Sequence, residues 1–133
     1  MKALHHYFVI AAAVLLCAAA SCSRPSSVET YRLNDGSGIY EFTLDFQDST
    51  SVYDLSFYTR VDDADTKGFP MQVSWYSPSG QLLGERLWFD CSSPVSPYRR
   101  GCDPPEHGTW RIMVKADAPG MRGLGLICSA RKK

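Results

Sequence analysis

Residues 39–46 of this 133-residue chain read IYEFTLDF, and their side chains alternate strictly between apolar and polar. Aromatic and aliphatic side chains occupy positions 40, 42, 44 and 46, whereas Glu41, Thr43 and Asp45 occupy the positions between them. Successive side chains of a β-strand point to opposite faces, so a period of two over eight residues predicts a strand with one buried face. Residues 52–61 repeat this alternation and predict a second strand of the same kind.

Four further stretches have the composition of strands, and they cover residues 71–75, 82–89, 108–114 and 121–130. Residues 77–80 read SPSG between the first two, which predicts a hairpin turn because Pro presets φ and Gly accepts a left-handed conformation. Outside the N-terminal segment no helical period runs for ten residues. Short strands separated by turn signals predict an all-β fold, an antiparallel β-sandwich of the Ig-like or jelly-roll-like kind.

The N-terminal segment has the layout of a secretory signal. A basic start at Lys2 is followed by an unbroken apolar run over residues 7–16 and by small residues at 18–21. The apolar run is short for a transmembrane helix, which needs about 20 apolar residues. We therefore predict a cleaved signal peptide at residues 1–21, and the alternative is a retained N-terminal anchor helix.

Residues 19–22 read AASC and resemble the lipobox of bacterial lipoproteins, in which small side chains precede the modified cysteine. Cys17 is the rival position, but Leu16 before it is bulky where the lipobox has a small residue. The resemblance implies lipidation of Cys22, and two or more acyl chains give a stable membrane anchor. The alternative is ordinary cleavage that leaves Cys22 as a free thiol. After cleavage, residues 22–37 are predicted to be a lipidated N-terminus and tether, and residues 38–133 the sandwich domain.

The charge balance and the anchor bear on location and partners. Cleavage removes one of the 14 basic residues, Lys2, and none of the 14 acidic ones, so the mature chain has a formal net charge of −1. This balance argues against nucleic acid as a partner, because nucleic-acid binding needs a basic surface. We expect a protein anchored in the cell membrane or outer membrane and facing the periplasm, since no acidic run follows Cys22 to resemble a surface-export tag.

Three cysteines remain in the mature chain beside Cys22. Cys91 and Cys102 flank a proline-rich segment that we expect to be a long loop with at most a short edge strand. Their spacing predicts a disulfide in an oxidising compartment, worth on the order of 3 kcal/mol in the chain-entropy model. The alternative is two reduced thiols. Cys128 lies among apolar residues and is expected to behave as a small buried hydrophobe.

The mature chain lacks the residue sets of common catalytic and metal sites. His107 is its one histidine, and we interpret it as a solvent-facing turn residue before a strand. Asp62, Asp63 and Asp65 cluster, but without the alternating spacing of a calcium loop, so a solvated turn is the better interpretation. Glu41 and Asp45 share a strand face without any further mark of catalysis. We predict no enzyme activity, no metal and no cofactor.

Aromatic side chains raise the alternative of glycan binding, because flat rings on a sandwich face can stack on sugars. Trp75 and Trp110 are in register with apolar neighbours and are predicted to be core residues. Tyr58 and Tyr76 point to the opposite side of their strands. They are therefore the candidate residues of a binding surface.

Four stretches, together with the lipobox, resemble the GldH family of gliding-motility lipoproteins from Bacteroidetes. They are residues 48–55 (DSTSVYDL), 73–81 (VSWYSPSGQ), 105–110 (PEHGTW) and 121–124 (MRGL). The resemblance implies a non-enzymatic accessory role in a cell-envelope assembly, with other envelope proteins as partners. It carries no catalytic residues to this chain.

Overall fold

The structure, a computed structural model, describes residues 27–133. The regular elements of this part are eight β-strands: β1 Ser27–Leu33, β2 Ile39–Phe46, β3 Ser51–Val61, β4 Gly68–Tyr76, β5 Leu82–Asp90, β6 Val95–Cys102, β7 Gly108–Lys115 and β8 Met121–Lys132. No helix in residues 27–133 is long and apolar enough to cross a membrane. The predicted signal peptide and the lipidation of Cys22 fall outside the described residues.

The strands form two four-stranded antiparallel sheets. Sheet A has the order β1-β8-β3-β6, and sheet B has the order β2-β7-β4-β5. The predicted all-β antiparallel sandwich is therefore confirmed. The sequence is compatible with an Ig-like or a jelly-roll-like sandwich. The observed strand order is that of a jelly roll, because every connection except the β4–β5 hairpin passes from one sheet to the other.

The core lies between the sheets and receives the inward side chains of both. Strand β2 shows the predicted alternation directly, with its four even-numbered side chains buried and its odd-numbered ones exposed. At one end of the core, the Phe46 ring centre lies 4.5 Å from that of Tyr53 and within 6.5 Å of those of Trp75 and Trp110. At the other end, Phe69 stacks on Phe89 with ring centres 5.1 Å apart.

The predicted tether at residues 22–37 is wrong for Ser27–Leu33. These seven residues form β1, an edge strand that pairs with β8 from Ser27–Ser129 to Leu33–Gly123. Six of the seven are exposed, so the strand lacks the apolar contrast by which the other strands were recognised. The sandwich therefore includes Ser27 and does not begin at residue 38.

The expected long loop with at most a short edge strand is also wrong in extent. Val95–Cys102 forms β6, an eight-residue edge strand on β3 with two register shifts. Pro97 lies within it, which is compatible with an edge because proline lacks the N–H that an interior strand needs. The strand was not predicted because the prolines of this segment are typical of loops.

Candidate functional site

A cleft of about 520 Å³ opens at one end of the sandwich, between the edge strands β5 and β6. It is lined by Phe46, Trp75, Gln81, Leu82, Leu83, Arg99, Cys102, Pro104, Pro105 and Trp110. We call this the cleft end, where β1, β3, β5 and β7 begin and β2, β4, β6 and β8 end. The lining is mostly apolar, with Gln81 and Arg99 as its polar members.

The mouth of the cleft is built by the β4–β5 hairpin and the loop between β6 and β7. The predicted turn at residues 77–80 is confirmed: the Gly80 amide donates to the Ser77 carbonyl at 2.9 Å, and Gly80 has a φ of 93°. Ser79 donates from its hydroxyl to Glu106 Oε2 at 2.8 Å. Two of the stretches that carry the family resemblance, 73–81 and 105–110, therefore meet in space.

The floor of the cleft consists of two indole rings whose polar atoms are already bonded. Trp75 and Trp110 meet edge to face, with ring centres 5.9 Å apart. The Nε1 of Trp75 donates to the Tyr98 hydroxyl at 2.8 Å, and the Nε1 of Trp110 donates to the Glu106 carbonyl at 2.8 Å. The prediction that both are core residues is confirmed, since they are 5% and 8% exposed.

A polar network links β5 to β6 beside the cleft. The Tyr98 hydroxyl donates to Glu85, and Arg99 Nη2 lies 2.8 and 2.7 Å from the two Glu85 carboxylate oxygens. A register shift between the β3 residues Leu55 and Ser56 brings Tyr98 and Arg99 together. A β-bulge changes the direction in which the side chains next to it point. Both side chains thereby reach the opposite sheet and close the edge of the sandwich.

The outer wall of the cleft carries two leucines, Leu82 and Leu83, which are 64% and 60% exposed. Cys102 also lines the cleft, but burial raises the pKa of its thiol. A thiol with a raised pKa is mostly protonated at neutral pH and is a weak nucleophile. The cleft is therefore suited to holding an apolar group by contact.

The predicted Cys91–Cys102 disulfide is contradicted. Cys91, Cys102 and Cys128 are free thiols in the described part of the chain. Cys102 ends β6 beside Tyr53 at the cleft end, whereas the Cys91 amide donates to the Lys67 carbonyl at the other end. The eight extended residues of β6 span about 23 Å, and a disulfide requires Cα atoms within about 7 Å. The predicted loop would have folded back, but β6 does not.

Cys128 packs against the core, as expected for a small hydrophobe. Burial raises the pKa of its thiol to about 11. It lies opposite Leu55 on β3, and Cys102 lies opposite Tyr53 on the other side of the same strand. Two strand spacings, about 10 Å, separate the two thiol-bearing strands.

The two candidate tyrosines do not form one surface. Tyr58 lies on the outer face of sheet A, where its ring covers Gly125 and stacks on Tyr31 with ring centres 5.6 Å apart. Burial, and then the Glu29 carboxylate beside it, raise the pKa of Tyr58 to about 12. Tyr76 lies on the outer face of sheet B, where the Arg111 guanidinium sits 4.5 Å from its ring centre. Each ring thus has one side occupied by a neighbour.

The remaining candidates are surface residues. His107 is exposed in the loop before β7, as predicted for a turn residue. Asp62 pairs with Arg122, and Asp63 accepts from the Asp65 amide at 3.0 Å, which is the local bonding of a solvated turn. Across residues 27–133, no three His, Cys, Asp or Glu side chains are grouped to hold a metal ion.

The cleft was not predicted from the sequence, although several of the residues that build it were predicted to be core residues or turn residues. Leu82 and Leu83 are adjacent, and two neighbouring leucines at the start of a strand break the alternation of buried and exposed positions. That break was the available signal.

Comparison of the sequence with protein-family models found no match, and comparison with curated proteins found none either.

Proposed function

We propose that this chain is a lipid-anchored protein of the bacterial envelope that acts without catalysis, by binding other envelope proteins. In this proposal it is an accessory component of a gliding-motility-type assembly, as the GldH resemblance implies. The anchor is Cys22, in the cell membrane or outer membrane, with the domain facing the periplasm.

The observation that supports this proposal most is the short distance between the lipobox cysteine and the folded domain. Strand β1 begins at Ser27, five residues after Cys22. Even fully extended, five residues span at most about 18 Å, so lipidation would hold the sandwich close to the membrane surface. A well-packed domain held there can present fixed surfaces to partners.

The first test of the proposal is the anchor. Cys22→Ser should move the protein from the membrane fraction to the soluble fraction, because the thioether-linked chains would be lost. Cys91→Ser is the matched control, since its thiol lies in the folded domain at the end opposite Ser27. An unchanged distribution of the Cys22→Ser protein would refute lipidation.

The second test concerns the partner. Crosslinking in intact cells, followed by purification of the lipoprotein, should return the same envelope protein in repeated experiments. Recovery of the lipoprotein alone each time would count against an accessory role.

Glycan binding through Tyr58 and Tyr76 gains no support from the geometry. The two rings lie on opposite outer faces of the sandwich, so one glycan chain cannot stack on both. We therefore do not put it forward as a second function.

A further inference from the structure

We propose that the cleft end of the sandwich sits on the bilayer and that lipid acyl chains occupy the cleft. The orientation rests on the proposed anchor at Cys22. The chemistry of the cleft is independent of that anchor, and the experiment below separates the two.

The position of the cleft favours contact with the membrane. Ser27 pairs with Ser129, and Ser129 pairs with Asp54 of β3. The residue before Asp54, Tyr53, pairs with Cys102 in the cleft lining. The chain therefore enters sheet A within one residue of the level of the cleft. Three strand spacings, about 14 Å, separate β1 from β6 across the sheet. With Cys22 at most about 18 Å from Ser27, an anchored domain holds its cleft end against the membrane.

The apolar surface at the cleft end also favours contact with lipid. Leu82 and Leu83 project into solvent beside a floor of Trp75, Trp110 and Phe46. Removing apolar surface of this kind from water lowers the free energy of the system. Exposed leucines are typical of protein surfaces that enter the boundary between lipid headgroups and acyl chains.

Most of the polar side chains that line the cleft, with Gln81 as the exception, are already paired within the protein. Both indole N–H groups donate to protein oxygens, and the Arg99 guanidinium is held by Glu85. Sites for sugars or other polar ligands need convergent free donors and acceptors. A cleft in which most polar groups are already bonded within the protein favours an aliphatic occupant.

The charges at the cleft end decide which membrane composition is required. Lys133 pairs with Asp103 at 3.1 Å, and Lys132 lies 3.9 Å from Asp48. Basic and acidic side chains therefore offset each other at this end. Binding should depend on acyl chains more than on anionic headgroups, so phosphatidylcholine vesicles are a sufficient probe.

The three tryptophans of the chain provide a test. Trp75 and Trp110 lie in the cleft, whereas Trp88 lies on β5 six residues beyond Leu82, about 20 Å away, and is 62% exposed. The purified lipoprotein is reconstituted in phosphatidylcholine vesicles with brominated acyl chains, which quench tryptophan fluorescence on contact. In the Trp88→Phe variant all tryptophan emission comes from Trp75 and Trp110, the two tryptophans of the cleft. We expect most of this emission to be lost relative to vesicles of unbrominated lipid, and unchanged emission would overturn the proposal.

Matched leucine variants locate the contact. Leu83→Asn at the cleft should restore much of the emission of Trp88→Phe, whereas Leu33→Asn should leave the quenching unchanged. Leu33 is 75% exposed at the opposite end of the sandwich, so it controls for the loss of an exposed leucine. Equal effects of the two substitutions would contradict docking at the cleft end.

The experiment distinguishes failure of the anchor proposal from failure of the cleft proposal. If mass analysis finds no acyl group on Cys22 but added brominated vesicles still quench Trp88→Phe, the cleft proposal holds and the anchor proposal fails. If Cys22 is acylated and the cleft pair is not quenched, the anchor stands and the cleft proposal is overturned.

Discussion

At the scale of single residues, Gly125 shows how close packing outside the core constrains the sequence. It faces outward from β8, and a Cβ at this position would overlap the ring of Tyr58. The ring in turn stacks on Tyr31 across the same strand. Gly125 in an inner strand is thus covered by the Tyr58 ring, and Gly123 two residues before it is covered by the Tyr31 ring.

Gly125→Ala should therefore lower the free energy of unfolding by about 1–3 kcal/mol, because the Tyr58 ring must move out of its packed position. Gly84→Ala is the control: an added Cβ there meets nothing within 4 Å. The control should be neutral or stabilising by up to about 1 kcal/mol, since alanine restricts the unfolded chain more than glycine does. Urea unfolding of both variants measures the difference. Equal stability of the two would show that the Tyr58–Gly125 contact is not tight.

Asp48 gives a prediction about pH at the same scale. The side-chain hydroxyl and backbone amide of Thr50, and then the hydroxyl of Ser51, lower the pKa of Asp48 to about 2. A carboxyl whose folded pKa is depressed stabilises the fold above its unfolded pKa, near 4, and loses that contribution as the pH falls through about 2.

Asp48→Ala should therefore be less stable than the wild type at neutral pH, and the gap should close as the pH falls from about 4 to about 2. Denaturant midpoints measured across this pH range provide the check. A gap that stays constant down to pH 2 would mean that the carboxylate charge is not involved.

At the scale of elements, the contact between β5 and β6 depends on Glu85, Tyr98 and Arg99 because the two strands belong to different sheets. The side chains of Arg99 and Glu85 are 44% and 30% exposed, so solvent screens the ion pair. We expect a coupling energy between Glu85→Ala and Arg99→Ala of about 0.5–1 kcal/mol in a double-mutant cycle. Additive effects, with no coupling, would show that the ion pair does not help to hold β5 and β6 together.

The cysteines provide a second prediction at this scale, because β6 separates two of them. Without prior reduction, the peptides that contain Cys91 and Cys102 should both take up an alkylating reagent. Cys128 should react more slowly, since burial raises its pKa to about 11. Mass mapping of the alkylated peptides tests both statements, and a linked Cys91–Cys102 peptide would contradict the extended course of β6.

The elements that could be predicted from sequence are those with one face in the core. Strand β2 and the hairpin at Ser77–Gly80 carry strong local signals, an alternation of apolar residues in the first and turn residues in the second. Strands β1 and β6 lie at the edges of sheet A, where exposure and Pro97 weaken the pattern. Their existence depends on pairing with β8 and β3, which are distant in sequence.

At the scale of the whole molecule, the cleft could not be predicted because its parts come from separate elements. Phe46 ends β2, Trp75 lies near the end of β4, and Trp110 lies near the start of β7. Each was expected to be apolar and inward-facing, but only the jelly-roll strand order brings them to one end. The same strand order places Tyr58 and Tyr76 on opposite faces, which sequence periodicity within one strand cannot show.

The proposed role depends on a domain that is held at the membrane by its mature N-terminus, with the cleft end towards the bilayer. Intact-mass analysis of the protein purified from its source cells tests this. We predict a chain that lacks residues 1–21 and carries acyl groups on Cys22. A mass that corresponds to an unmodified Cys22, or to a chain that retains residues 1–21, would contradict it.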